Sequence, residues 1–162
     1  MQSVKKDNEP PFEYHHDSMS LKHVFFEHFG RVVEPGSTVL EFGSGKGTEN
    51  LVNLGYNVFS IEEHEHFCGL YHEQYIHAPI VDGWYDKKIV LDFVKKIKYD
   101  AIIVDGPAQG ERKKIMEILD ELDTTVPIFI DDMNRKEDRE LFGFISGKDR
   151  KTFDHGDYGY II

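Results

Sequence analysis

Residues 39–48 read Val39-Leu40-Glu41-Phe42-Gly43-Ser44-Gly45-Lys46-Gly47-Thr48. An apolar strand carries a carboxylate near its end, three glycines alternate, and polar residues open a helix. Glycine permits the sharp turn and lets a ligand lie against the backbone. The helix that follows presents free N–H groups. About 20 residues further on, where nucleoside-binding α/β folds hold ribose hydroxyls, Val58-Phe59-Ser60-Ile61 runs into Glu62-Glu63. A carboxylate accepts two hydroxyl hydrogen bonds at once. Glu62, directly after the strand, is the first choice, with Glu63 beside it. The pattern predicts a nucleoside pocket that draws on Gly43, Ser44, Gly45, Glu62 and Glu63, with Glu41 and Phe42 leading into the turn.

A second set of chemical residues stands at the ends of two apolar runs. Asp105 follows Ala101-Ile102-Ile103-Val104, and Asp131-Asp132 follow Val126 to Ile130. In adjacent parallel strands these ends fall within about ten ångströms of one another. All three then face the crevice at the carboxyl edge of the sheet, where open α/β folds bind ligands. Three oxygens plus waters suit Mg²⁺. Asp105 is the candidate catalytic carboxylate. Among the nine histidines, His15, His16, His64, His66 and His72 are general-base candidates by chemistry alone, and no spacing compels a role. Cys68, the single cysteine, reads as a half-buried apolar residue.

The elements that must position these groups alternate between β and α. A helix carries Leu21, Val24, Phe25, Phe29 and Val32, with Ser18 or Ser20 to cap it. Strands follow at 38–42 and 58–61, with a short helix at 48–54 between them. A short helix at 65–71, a strand at 75–81 and an amphipathic helix at 87–98 come next. The remainder reads as a strand at 101–104, a helix at 111–122, a strand at 126–130 and a helix at 136–145. The tail forms a hairpin about Asp154-His155-Gly156-Asp157. Strands separated by helices imply parallel pairing with right-handed crossovers. The expected fold is a single doubly wound, mostly parallel α/β sheet with helices on both faces and an antiparallel C-terminal edge hairpin. Residues 1–17 read as a flexible arm, and 18–162 as one Rossmann-like domain.

Composition narrows the partners. The 162 residues suffice for one domain with a real core. No apolar run approaches the roughly 20 residues of a membrane span, and the polar start lacks the apolar centre of a signal peptide. A cytoplasmic location is the expectation. The net charge of −11 repels duplex nucleic acid. The basic runs Lys95-Lys96-Ile97-Lys98 and Arg112-Lys113-Lys114 read as solvated helix faces. The charge points to a small or neutral substrate, with no nucleic acid and no membrane.

The pattern Glu41-x-Gly43-x-Gly45-x-Gly47 resembles motif I of class I S-adenosylmethionine-dependent methyltransferases. That resemblance implies a loop cradling the methionine and ribose of S-adenosylmethionine, with Glu41 near the ammonium or in the network behind it. It also implies that Asp82, Gly83 and Trp84 flank the adenine, with Trp84 or Tyr85 covering the ring. The strand-end acids resemble the magnesium site of catechol-type O-methyltransferases, although Asp132 stands where that family has Asn. The stretch Val104-Asp105-Gly106-Pro107 with Arg112 looks like a loose group of bacterial and glycan-modifying methyltransferases. O- or N-methylation of a small molecule or glycan-like acceptor follows as the expected function, with a homodimer as one way to supply the missing substrate cap.

Two other readings stay open. Gly43-Ser44-Gly45-Lys46-Gly47-Thr48 also looks like the phosphate loop of adenylate kinases, but that loop needs a glycine where Leu40 stands. A domain that binds S-adenosylmethionine without methyl transfer is the other. NAD is disfavoured, because the glycines lack the G-x-G-x-x-G spacing.

Overall fold

Period-two alternation along four apolar strands builds a core on each side of one sheet. The computed structural model describes residues 21–147 and 149–162. The strands are β1 (Thr38–Phe42), β2 (Asn57–Glu62), β3 (Tyr75–His77), β4 (Ile80–Val81), β5 (Trp84–Tyr85), β6 (Ala101–Val104), β7 (Ile128–Ile130), β8 (Thr152–Asp154) and β9 (Gly159–Ile161). The helices are α1 (His23–Val32), α2 (Lys46–Asn53), α3 (Lys87–Val94) and α4 (Lys136–Ser146). A 3-10 stretch spans Arg112–Glu121.

Seven strands form the main sheet in the order β3-β2-β1-β6-β7-β9-β8. β1 pairs in parallel with β2 and β6, β6 with β7, and β2 with β3. β9 runs antiparallel to β7 and carries β8 at the edge, as the hairpin signal predicts. The chain winds outward from β1 to β3 and then returns to β6 beside β1. The order therefore reverses between β1 and β6, which opens a crevice at their carboxyl ends.

Leu40, Phe42, Ile102, Val104, Ile128 and Ile130 face one layer, packed with Val90 and Val94 of α3, Ile115 and Ile118 of the 3-10 stretch, and Leu141 of α4. Val39, Val58, Ala101, Ile103 and Phe129 face the other layer with Phe25, Phe26 and Phe29 of α1 and Leu51 of α2. Phe29 and Phe129 are fully buried and their rings lie 4.8 Å apart. Burial of one such side chain contributes roughly 2–3 kcal/mol. Helices on both faces fulfil the doubly wound expectation.

Several elements differ in detail. The strand expected at 75–81 ends at His77, because Ala78-Pro79 breaks it and Pro79 has no N–H to donate. Ile80–Val81 pairs instead with Trp84–Tyr85 in a separate two-stranded hairpin. The helix expected at 65–71 is a single 3-10 turn, Glu65–Phe67. The segment expected as an α-helix at 111–122 winds as a 3-10 helix, whose period of three puts Arg112, Ile115 and Ile118 on one buried face. In α1, Val24 is exposed and Phe26 takes its place in the core. Lys22 is the N-cap of α1 and makes no side-chain cap. Ser18 and Ser20, like His15, His16 and the arm at 1–17, lie outside the described residues.

Candidate functional site

The glycine bend joins β1 to α2 at the reversal point of the sheet. Gly43 has φ +88°. A Cβ there would stand 2.6 Å from the Asp105 carbonyl oxygen, so the loops after β1 and β6 meet backbone to backbone. Thr48 locks the start of α2: its Oγ1 accepts the Gly45 N–H at 3.0 Å. The same hydroxyl donates to both oxygens of Glu41, at 3.0 and 2.9 Å.

Glu41 is 2% exposed and does not line the cavity. Its partners are Thr48 and the Ser60 hydroxyl, which donates at 2.7 Å. Burial pushes its carboxyl up to about 8, against the opposing pull of those two hydroxyls. The network continues outward on both sides. Ser44 Oγ bridges Thr48 Oγ1 at 3.1 Å and the Tyr75 hydroxyl at 2.6 Å. Ser60 Oγ meets His72 Nε2 at 2.9 Å, and His72 Nδ1 accepts the Gln74 N–H. Burial pulls His72 down to about 4, and both of its ring nitrogens are held in this network. Of the two positions that motif I allows for Glu41, the structure places it in the network behind the loop. Phe42 is likewise a core residue, stacked near Trp84.

Two acids, Glu62 as the last residue of β2 and Glu63 directly after it, hold two loops. Glu62 Oε2 accepts the Ser44 N–H at 2.9 Å and its Oε1 the His64 N–H at 2.8 Å. Glu63 Oε1 accepts the Ala108 and Gln109 N–H groups at 2.7 and 3.2 Å. Both carboxylates line a cavity of about 640 Å³, together with Gly43 to Gly47, His64, Phe67, Tyr71, Gln109, Asp105, Arg112, Asp132 and Arg135. Burial raises the Glu62 carboxyl, and the two amides that bond it oppose that shift. Phe67, Tyr71 and Gln109 carry no sequence signal beyond their types. Cys68 is half-buried as expected, with its thiol 3.7 Å from the His64 carbonyl oxygen.

The structure does not bring Asp82, Gly83 and Trp84 into this cavity. Trp84 is 4% exposed and packs in the core, and Asp82 sits exposed at the tip of the β4–β5 hairpin. Residues 106–111 come between: the Gly83 carbonyl accepts the Glu111 N–H at 2.7 Å, while Ala108 and Gln109 line the cavity on the far side.

Asp105, Asp131 and Asp132 come together as expected, with one oxygen of each within 4.8 Å of the others. Asp132 has φ +53°, a left-handed conformation that Asp tolerates better than most residues. The basic run 112–114 does not read as a wholly solvated face here. Lys113 is exposed, but the Arg112 side chain is 4% exposed and inserts among the acids. Its Nη1 lies 3.0 Å from Asp132 Oδ2, and its Nη2 lies 3.5 Å from Asp105 Oδ1. Burial raises the Asp105 carboxyl well above the usual carboxylate range, and Asp131 adds to that shift. Burial pushes Asp131 up to about 6. The donor set therefore does not fit a resident Mg²⁺, because a guanidinium already engages two of its three acids.

No protein-family model matches the chain, and no curated protein matches it. Solved structures do. The C-terminal domain of precorrin-6Y C5,15-methyltransferase from Rhodobacter capsulatus superposes with a TM-score of 0.57 at 11% identity, covering 90% of each chain. A methyltransferase-like protein from Silicibacter pomeroyi gives 0.57 at 18% identity, over 87% of this chain and 85% of that one. The MycE methyltransferase of the mycinamycin pathway, solved with Mg and SAH, gives 0.56 at 12% identity, over 85% of this chain and 45% of that one. Identities this low establish architecture alone, and by architecture the chain has the α/β fold of these methyltransferases.

Proposed function

We propose that this chain binds S-adenosylmethionine and transfers its methyl group to an oxygen or nitrogen of a small polar acceptor, such as a glycan-like hydroxyl. The observation that carries the reading is the Ser44 N–H bonded to Glu62 at 2.9 Å. It joins the glycine bend and the acid that ends β2 into one wall of a cavity that also reaches Asp105. The glycine backbone takes the methionine part, and the lone pairs left on Glu62 and Glu63 take ribose hydroxyls. His64, Phe67 and Tyr71 are the rings available to the adenine, a role the resemblance assigned to Trp84 or Tyr85, both of which are buried in the core.

The sulfonium is already activated, so the protein supplies proximity and a proton acceptor. The acceptor atom attacks the methyl carbon in line, the C–S bond breaks, and S-adenosylhomocysteine leaves. Asp105, on the cavity wall beside the glycine bend, takes the acceptor's proton. No step needs a metal.

Calorimetry with S-adenosylmethionine, S-adenosylhomocysteine, ATP with Mg²⁺ and NAD tests the assignment. Saturable heat is expected with the first two alone, and Glu62→Ala is expected to weaken both by about tenfold or more. Heat with ATP alone would transfer the chain to the phosphate-loop reading, against which Lys46 already counts: its side chain is exposed and pairs with Glu49 at 3.4 Å.

A further inference from the structure

One buried cation has no part in the chemistry above. Arg112 opens the 3-10 stretch, and the period of three buries it in line with Ile115 and Ile118. Its guanidinium meets carboxylates from three separate segments. Asp105 follows β6 at 3.5 Å, Asp132 follows β7 at 3.0 Å, and Asp138 of α4 stands at 3.7 Å. Nη2 also donates to the Asp105 carbonyl oxygen at 3.1 Å, a neutral anchor. Nε and Nη1 are buried without an aligned hydrogen-bond partner, and so are both oxygens of Asp138. A guanidinium placed for hydrogen bonding shows the bidentate fork. This one is held mainly by charge among converging acids, much as a metal ion is.

We propose that Arg112 is the resident cation of the strand-end acids: it takes the place of a divalent ion and leaves the site metal-independent. An arginine cannot give up that place by losing its proton. Nor can this side chain swing out, since it is 4% exposed and pinned to the Asp105 backbone. A divalent ion would have to share Asp105 and Asp132 with the guanidinium, and like charges at that range repel. Arg135 adds a second positive charge, 3.6 Å from both Asp132 and Asp138. The converse follows. If the charge of Arg112 is removed and its stem kept, Asp105, Asp131 and Asp132 offer three oxygens at a spacing a cation accepts. The inference rests on the methyltransferase reading only for what the acids act upon.

Mn²⁺, followed by the loss of its free electron-spin-resonance signal, is the probe. The wild-type protein is expected to show no saturable binding up to millimolar Mn²⁺. Arg112→Met is expected to gain a site at least about tenfold tighter than any wild-type binding. Adding Asp132→Asn to that variant is expected to abolish the gain. Saturable Mn²⁺ binding by wild type that Asp132→Asn weakens would overturn the proposal. So would a folded Arg112→Met protein with no gain. Should that variant not fold, the wild-type and Asp132→Asn titrations decide alone, a wild-type site weakened by Asp132→Asn refuting the proposal and its lack upholding it. S-adenosylhomocysteine is titrated in parallel. Failure there removes the proposed function and leaves the cation assignment standing.

Discussion

Glu41 keeps a buried carboxyl among hydroxyls, and its charge state is linked to folding. Burial places its folded value near 8, above the model-peptide value of about 4.3 for an exposed glutamate. The native state therefore binds a proton that the unfolded chain has released between those limits. That contribution is complete below the unfolded value and is lost as pH rises through the folded one. The apo protein is expected to lose about 3–4 kcal/mol between pH 5 and 8 from this source. Glu41→Gln is expected to flatten the decline, as read from urea midpoints across that range. A slope unchanged in the variant would remove Glu41 as its origin. At this scale the sequence spoke clearly for Glu41, Ser44 and Glu62, because strand, turn and acid occur in fixed order. It offered His72 only as a general base and was silent on Tyr75; both reach the same network only through the crossover to β3. It misread Arg112, because a basic triplet looks solvated unless the local helix has a period of three.

The loops after β1 and β6 depend on each other at the level of elements. Gly43 is forced by its left-handed φ and by the Asp105 backbone, and Gly106 by Tyr85 and the backbone of Gly43. Gly43→Ala is expected to cost about 2–4 kcal/mol in denaturant unfolding and to weaken nucleoside binding. Full stability in that variant would mean that the close approach is absent in solution. Strands such as Thr38–Phe42 and Ala101–Val104 were legible because parallel strands buried on both faces are apolar throughout. The β4–β5 hairpin was not legible, since a two-residue strand leaves no periodicity. That same hairpin, separated from the cavity by residues 106–111, is why Asp82, Gly83 and Trp84 do not line it.

For the molecule as a whole, a net charge of −11 works against compaction. The exposed ion pairs do little to offset it: Lys88 with Asp92 at 2.7 Å and Arg139 with Asp154 at 2.7 Å are both solvated. Screening is therefore expected to stabilise. Raising NaCl from low ionic strength to about 0.5 M should lift the melting temperature by roughly 2–4 °C. A fall would show that attractive pairs outweigh the net repulsion. Among the described residues no helix is long and apolar enough to cross a membrane.

The bond from Glu63 to the Ala108 and Gln109 amides gives the pocket its own gauge. Those two hydrogens belong to exposed residues yet are tethered to an acid that also lines the cavity. Their deuterium uptake tracks how often the tether lets go. A ribose seated on the other lone pairs of Glu63 would hold the tether shut, so occupied protein should take up deuterium more slowly at 108 and 109 than empty protein. Equal uptake would mean that this carboxylate fastens a loop and never meets a sugar.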